Sequence, residues 1–190
     1  MHRHTSRTDI GIGTSVAGRN RAETSELIGF FVNQLVLRTD VVADSTVDEL
    51  MSRTRATVLE ALDNQDIPFS LLVSELPHSR GAGRTPFFQL LVVLHDFPDE
   101  PLSLPGLTAR RWVDERPAAK VDISLYLGGE GDGLSGAWVY NEALFSSATM
   151  ERISGQLVML LEDLVGRPGA TTPSPYKSDD QLKAEEELLT

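Results

Sequence analysis

Between Phe30 and Leu62 the apolar residues change period, and no other feature restricts the fold as much. Phe30 to Leu37 is a β-branched and aromatic run that reads as a mostly buried strand, with Asn33 its polar exception and Arg38 at its edge. From Thr46 onward, Val47, Leu50, Met51, Thr54, Val58 and Leu62 fall at helical spacing, and Thr46 with Glu49 has the capping-box pattern. A buried strand followed by an amphipathic helix has one economical solution, the helix laid against a sheet to which the strand belongs.

The flanking segments extend this arrangement. Ile10 to Ala17 alternates apolar residues with Gly, Thr and Ser, which predicts a strand where another backbone comes close. Pro68 fits the first turn of a shorter helix running toward Leu76, before Pro77 and the Gly81-Ala82-Gly83 loop. Phe87 to Leu94 reads as a core strand. A proline-rich excursion spans Phe97 to Pro105, and further strands are predicted at Leu107 to Val113, Val121 to Leu127 and Leu134 to Tyr140. The glycine-rich Gly128 to Gly133 stretch joins the last two as a hairpin. A last helix, capped by Ser146 or Ser147, carries Met150, Ile153, Leu157, Leu160, Leu161 and Leu164 on one stripe. The order predicts an α+β fold, a mixed sheet covered by helices, over residues 9–166. Residues 1–8 read as a disordered polar tail, and residues 167–190 as a Pro/Thr/Ser linker ending in a short acidic helix from Asp179.

Composition removes whole classes of function. The 190-residue chain has no cysteine, which excludes disulfides, thiolate zinc sites and cysteine nucleophiles. Its formal charge of −11 opposes a phosphate backbone, and Arg3, Arg7, Arg19 and Arg21 form no large basic patch, so nucleic-acid binding is not expected. Runs such as Leu90 to Leu94 are too short to span a bilayer, and the N-terminus lacks the apolar centre of a signal peptide. A cytoplasmic location is the expectation. Gly11, Gly13 and Gly18 lack the spacing of a dinucleotide fingerprint.

Four segments in order carry a family resemblance: Asp9-Ile10-Gly11-Ile12-Gly13-Thr14-Ser15-Val16-Ala17-Gly18-Arg19, Gly29 to Asn33 as Gly-x-Phe-Val-Asn, Gln65 to Phe69 as Gln-Asp-x-Pro-Phe, and Arg84 to Gln89 as Arg-x-Pro-x-Phe-Gln. Together with Lys120 to Leu125 and Leu134 to Asn141, they resemble the C-terminal lobe of a nonribosomal peptide synthetase condensation domain. The sequence departs from the family at Ser70, where an acidic residue is usual, at Gln34, commonly Thr, and at Asn64, often His. The first lobe's His-His-x-x-x-Asp-Gly motif has no counterpart here.

The resemblance implies one lobe of the chloramphenicol-acetyltransferase-like fold, with residues 96–119 as the latch toward the missing lobe. It implies an acyl transfer in which the amine of one carrier-bound aminoacyl thioester attacks the thioester carbonyl of another, a reaction needing proton removal and oxyanion stabilisation. No permanently bound cofactor is implied; phosphopantetheine arrives on a peptidyl carrier protein. The other expected partners are an N-terminal condensation lobe, adjoining synthetase domains or a second copy of the chain. Two function classes follow, a part of an amide-forming enzyme that is inactive alone, or a non-catalytic module that docks a carrier or synthetase.

The motif and channel candidates are Thr14, Arg19, Asn33, Gln65, Asp66, Arg84 and Gln89, with no catalytic residue and no metal ligand among them. Thr14 and Arg19 lie on the strand that the resemblance places near the channel. Asn33 either satisfies a neighbouring backbone or faces the channel. Asp66 is read as a cap for the helix near Pro68, and Arg84 as an anchor for a carboxylate such as Asp66. Of the four histidines, His2 and His4 lie in the tail and His78 reads as a solvated loop residue. His95 and Asp96, adjacent on a strand, would point to opposite faces, so Asp96 cannot orient the His95 ring.

Overall fold

The computed structural model of the chain describes residues 7–41, 45–78, 85–95, 103–108, 118–130 and 133–166. In order these form β1 (Asp9–Val16), α1 (Ala22–Ser25), β2 (Asn33–Asp40), α2 (Val47–Asp63), α3 (Phe69–Glu75), β3 (Leu90–His95), β4 (Ser103–Leu104), β5 (Leu107–Thr108), β6 (Ile123–Glu130), β7 (Gly133–Tyr140) and α4 (Ser147–Gly166). The main sheet has the order β2-β1-β3-β6-β7. It is mixed, as the sequence predicts: β1 with β2 and β6 with β7 are antiparallel, whereas β3 lies parallel to both β1 and β6. Parallel neighbours need long crossovers, and the one from β1 to β3 runs through β2 and the helical segment 47–75.

Register assigns the faces. Partners across a sheet point the same way, so Gly11, Gly13, Val36, Leu91, Val93 and Tyr126 share one face. On it Phe88, 1% exposed, packs with Leu91 and Val93, joined by Val36, Phe69, Phe87 and Tyr126. Ile12, Thr14, Leu35, Val92 and Leu125 share the opposite face, where Leu35 and Leu125 are buried.

Two glycines of β1 make this packing possible. A Cβ on Gly13 would stand 2.3 Å from the Phe88 ring, and one on Gly11 would stand 2.5 Å from the Phe87 carbonyl oxygen. Phe87 itself has φ 69°, unusual for a side chain of that bulk, so its backbone enters the core only because β1 is bare there.

Helix boundaries follow their caps. The Thr46 hydroxyl accepts from the Glu49 amide and the Glu49 carboxylate accepts from the Thr46 amide, the predicted capping box. Ser146 accepts from the Thr149 amide at the start of α4. Along α4, Met150 is buried and Ile153, Leu157, Leu160 and Leu164 are half-buried. Leu161, at the edge of that stripe, is exposed.

Several expectations need correction. The strand predicted from Phe30 begins at Asn33, because Phe30 and Val32 face solvent and Phe31 is drawn out of line by Arg19. The strand predicted from Phe87 begins at Leu90, since the left-handed Phe87 cannot belong to a regular ladder. Pro68 is the N-cap residue of α3 rather than part of its first turn. At Leu107 the strand is two residues long and pairs with Ser103–Leu104; residues 109–113 lie outside the described residues. The same is true of the Gly81-Ala82-Gly83 loop, residues 96–102 and 109–117 of the latch candidate 96–119, tail residues 1–6 and the whole of 167–190; the described part of the latch candidate includes the paired β4 and β5. Among the described residues no helix is long and apolar enough to cross a membrane.

One surface pair yields a titration. Asp9 and Arg38 sit diagonally across β1 and β2, and Arg38 donates through Nε and Nη2 to the two carboxylate oxygens at 2.8 and 2.7 Å. That hydrogen bonding, with the charge of Arg38 adding to it, holds the Asp9 carboxyl below its ordinary range against slight desolvation. A carboxylate depressed in the folded state contributes its stability above the ordinary carboxylate range and loses it as pH falls through the lowered value. The pair is exposed, so the contribution is small and screened by salt. Carbon-detected NMR of the side-chain carboxyls should find Asp9 titrating low, and Arg38→Gln should return it to the ordinary range.

Candidate functional site

The candidate residues gather where β2 begins, and Asn33 is the centre of the cluster. Its Nδ2 donates to the carbonyl oxygens of Gln65 and Ile67 at 2.9 and 2.7 Å, and its Oδ1 accepts from the Phe69 amide at 3.1 Å. Both amide hydrogens and one acceptor position are thus used on the 65–69 turn. The Phe69 amide is one of the orphan donors at the start of α3, and Pro68 supplies no side-chain cap. Asn33 therefore caps α3 from a different strand, more than thirty residues away in sequence. Of the two readings open for Asn33, the structure displays the backbone-satisfying one.

Asp66, expected to cap α3, does something else. Its Oδ1 accepts from Asn20 Nδ2 at 3.0 Å and its Oδ2 lies 3.7 Å from the Arg21 guanidinium, tying the turn to the segment after β1. Neither Asn20 nor Arg21 was singled out by the sequence, for exposed polar residues in an irregular segment carry no periodic signal. The expected Arg84 anchor lies outside the described residues. Gln65 donates its side-chain amide to Leu62 O at 2.8 Å, closing the end of α2, while its carbonyl serves Asn33.

Arg19 is wholly engaged with backbone. It donates to the carbonyl oxygens of Thr24 at 2.7 Å, Leu27 at 2.6 Å and Gly29 at 3.1 Å, and its guanidinium lies 4.6 Å from the Phe31 ring centroid. Gly18, φ 64°, lets the chain turn into this clamp, since a Cβ there would stand 1.9 Å from Phe31 O. Thr14 is half-buried opposite Leu35, on the face that also carries Asn33 at its pairing with Val16. Gln89 stands apart, donating to Thr85 O at 3.2 Å beside the Phe88 core. The structure thus hydrogen-bonds Asn33 to the turn that carries Gln65 and Asp66, a node that Asp66 ties to Asn20 and Arg21; Arg19 makes a separate clamp on residues 24–29, Thr14 lies near Asn33 on the sheet, and Gln89 stands outside.

The two described histidines, His78 and His95, make none of the node's hydrogen bonds. His95, exposed at the end of β3, stacks on Tyr126 with centroids 5.9 Å apart and planes at 14°. Asp96 lies outside the described residues. His78 is half-buried rather than solvated, its ring edge-on to Phe87 at 5.5 Å and its Nδ1 3.0 Å from Leu76 O. Among the described residues no cluster of His, Asp and Glu is arranged for a metal ion.

A surface hollow of about 570 Å³ lies at the opposite end of α2 from the node, lined by Ser45, Asp48, Glu49, Ser52 and Arg53. Three of these side chains, Ser45, Glu49 and Arg53, are already committed to structure. Glu49 completes the capping box, and Arg53 donates to Ser45. The chemistry suggested by the sequence is not located there.

Comparison with known proteins places this geometry in a family. The condensation-domain profile matches residues 1–184. A linear gramicidin synthase from Brevibacillus parabrevis is 42% identical over 173 residues, covering 88% of this chain and 3% of the synthase polypeptide. The condensation domain of the monacolin K polyketide synthase MokA superposes with a TM-score of 0.75 at 19% identity, over 90% of this chain and 40% of that one. The X-domain in its complex with OxyB from teicoplanin biosynthesis gives 0.67 at 27% identity, over 90% of this chain and 38% of that one. The chain therefore spans about two fifths of those solved domains and a small fraction of the curated synthase. The sheet order and helices described above are those of the chloramphenicol-acetyltransferase-like fold shared by these structures. A profile match along almost the whole sequence, with relatives this similar, shows that the chain belongs to the condensation-domain family.

Proposed function

We propose that this chain is the C-terminal half of a condensation domain in nonribosomal peptide biosynthesis. It supplies part of the tunnel wall and the carrier-protein contacts for amide formation between carrier-bound thioesters. The observation that carries this reading is the pairing of an almost full-length family match with coverage of only two fifths of a solved condensation domain. The four motif segments occur here in order, and the His-His-x-x-x-Asp-Gly motif does not occur in the sequence. The catalytic histidine then belongs to the other half. Phosphopantetheine enters as the thioester arm of the substrate on a peptidyl carrier protein, and an N-terminal lobe or adjoining synthetase domains complete the enzyme.

In this role Thr14, Arg19, Asn33, Gln65, Asp66, Arg84 and Gln89 shape the wall. The support is the chemistry of the node and of the Arg19 clamp: the polar atoms of Arg19, Asn33 and Asp66 are directed at neighbouring protein groups. Such residues fix a surface on which a thioester-bearing arm can be positioned.

The test is condensation of two loaded carriers monitored by mass spectrometry. The chain alone should give no amide, and addition of a lobe bearing His-His-x-x-x-Asp-Gly should give product. Product from the chain alone, abolished by His95→Ala, would overturn the proposal. A second reading has one observation in its favour: the solved neighbour that is a complex of an X-domain with OxyB is a fold of this kind engaged with another protein. Under that reading the chain binds a carrier or synthetase partner and yields no product even with the second lobe present.

A further inference from the structure

Gln34 and Ser15 are cross-strand partners in the β1–β2 ladder, one step beyond Gly13 and Val36 on the face that carries Phe88. Both residues are half-buried, yet neither side chain hydrogen-bonds to a protein group. Their polar atoms are open to solvent, since the one enclosed side-chain atom without a partner among the described residues is Gln156 Oε1. This sets Gln34 apart. The side-chain amides of Asn20, Asn33, Asn64, Gln65, Gln89 and Asn141 are all engaged with neighbouring protein groups. A half-buried carboxamide left free beside a free hydroxyl is a pair of hydrogen-bonding groups with capacity to spare.

The mounting of the pair is rigid. Asn33, just before Gln34, is fastened to residues 65–69, and Leu35, just after it, is buried. On the far side of Ser15 the sheet is not continued. There β1 and β3 are partnered at Gly13 and Leu91 alone, although the strands run on to Val16 and His95. The charged residues of β1 and β2 on this face, Asp9, Arg38 and Asp40, lie at the other end of the ladder, where Asp9 and Arg38 hold each other. A fixed, uncharged pair of polar groups at the margin of an apolar core selects a neutral ligand with matching polar atoms. A carboxamide presents N–H donors beside a C=O acceptor, and the group that uses both at once is another amide.

We propose that Gln34, assisted by Ser15, is a specificity-determining residue that reads a secondary amide of the carrier-bound substrate through reciprocal hydrogen bonds. The proposal rests on the function proposed above, in which thioesters on a carrier arm meet this part of the chain. Gln34 Nε2 donates to the carbonyl oxygen of the ligand amide, Gln34 Oε1 accepts from its N–H, and the Ser15 hydroxyl donates to the second lone pair of the same carbonyl. Gln34 is also a position where the sequence leaves the common family pattern. The threonine usual there has one hydroxyl in place of the carboxamide and does not span both ends of an amide. Such an amide has two sources, the acyl chain being transferred and the phosphopantetheine arm that carries it, and the test separates them.

The test follows the Gln34 side-chain amide of the full chain by heteronuclear NMR during titration with three thioesters. N-acetylglycine S-ethyl thioester carries its amide in the acyl chain, S-propionyl N-acetylcysteamine carries it in the arm, and S-ethyl thiopropionate has none. A saturable shift of the Gln34 signal with an amide probe, and none with the amide-free thioester, is the expected result, and the probe that produces it identifies the source. Gln34→Met keeps the length and apolar bulk of the side chain, so Tm should be unchanged while the probe binds about fivefold more weakly. Ser15→Ala should weaken it less. In condensation with a lobe bearing His-His-x-x-x-Asp-Gly, Gln34→Met should raise KM for the loaded carrier by about the same factor and leave kcat in place, with partial recovery in Gln34→Asn. Equal shifts from the amide-free thioester, or none from either amide probe, would overturn the proposal and leave the function proposed above standing. Absence of product from the wild-type chain with that lobe would overturn that function, whereas the amide site stands or falls on the titration.

Discussion

Phe88→Ala should lower the unfolding free energy by about 3–5 kcal/mol, the range for removing a buried aromatic ring. Phe88 is 1% exposed and contacts Leu91 and Val93 on its own side of the sheet, with the Phe69 ring centroid 5.8 Å away. The floor of its pocket is Gly13, where a Cβ would meet the ring at 2.3–2.6 Å. Gly13→Ala alone should therefore cost about 1–3 kcal/mol by overpacking, since a ring so enclosed cannot swing aside. The two changes should not add. With the ring gone, the new methyl enters vacated space, so the double variant should be more stable than the sum of the single losses requires. Chemical denaturation of the four proteins measures the cycle. Strict additivity would mean that ring and glycine do not share a packing site.

That contact also shows how much of the fold was legible beforehand. The alternation of Gly with apolar residues in Ile10 to Ala17 announced a strand that another part of the chain approaches closely, and Phe87 and Phe88 are that part. Helix α2 was legible because its period and its capping box agree, and both are local. The start of β2 was not. Phe30, Phe31 and Val32 have strand-like composition, but Arg19 binds the preceding carbonyls and takes the segment out of the sheet. An interaction between residues 19 and 29 leaves no trace in the period of either segment.

The site shows the same division. Its members were identified through motif resemblance, whereas their arrangement depends on pairings that sequence spacing does not encode. Asp66, two residues before Pro68, has the makings of a cap by local rules, yet the Phe69 amide is taken by Asn33 and Asp66 is left to bind Asn20 and Arg21. A cap delivered from another strand is satisfied only after the sheet and α3 have come together. Local reading therefore assigned the right task to the wrong side chain. His78 was misread for a related reason, because the Phe87 ring that half-buries it belongs to a segment that arrives from beyond the Gly81-Ala82-Gly83 loop.

Asn33 should be the most sensitive position of the node, and two substitutions separate its two functions. Asn33→Ala removes three hydrogen bonds and leaves the Phe69 amide and the Gln65 and Ile67 carbonyls to be satisfied otherwise. Water can reach this half-buried site in part, so the loss should be about 2–3 kcal/mol, below the full cost of orphaning every group. Asn33→Asp keeps an oxygen for the Phe69 amide but sets a carboxylate against the two carbonyls that had received hydrogens. At pH 7 that variant should be no more stable than Asn33→Ala. Its pH dependence identifies the cause. Two facing carbonyls favour the protonated acid, which can donate to one of them, so the new group's pKa is raised in the folded state. A raised carboxyl contributes most when protonated and loses its contribution as pH rises through the ordinary carboxylate range toward the folded value. Relative to wild type, Asn33→Asp should therefore recover stability between pH 7 and about 4, whereas the deficit of Asn33→Ala should stay constant over that range. A constant deficit for Asn33→Asp would mean that the side-chain amide does not point its hydrogens at residues 65 and 67. Capping of α3 would then be the whole of its role.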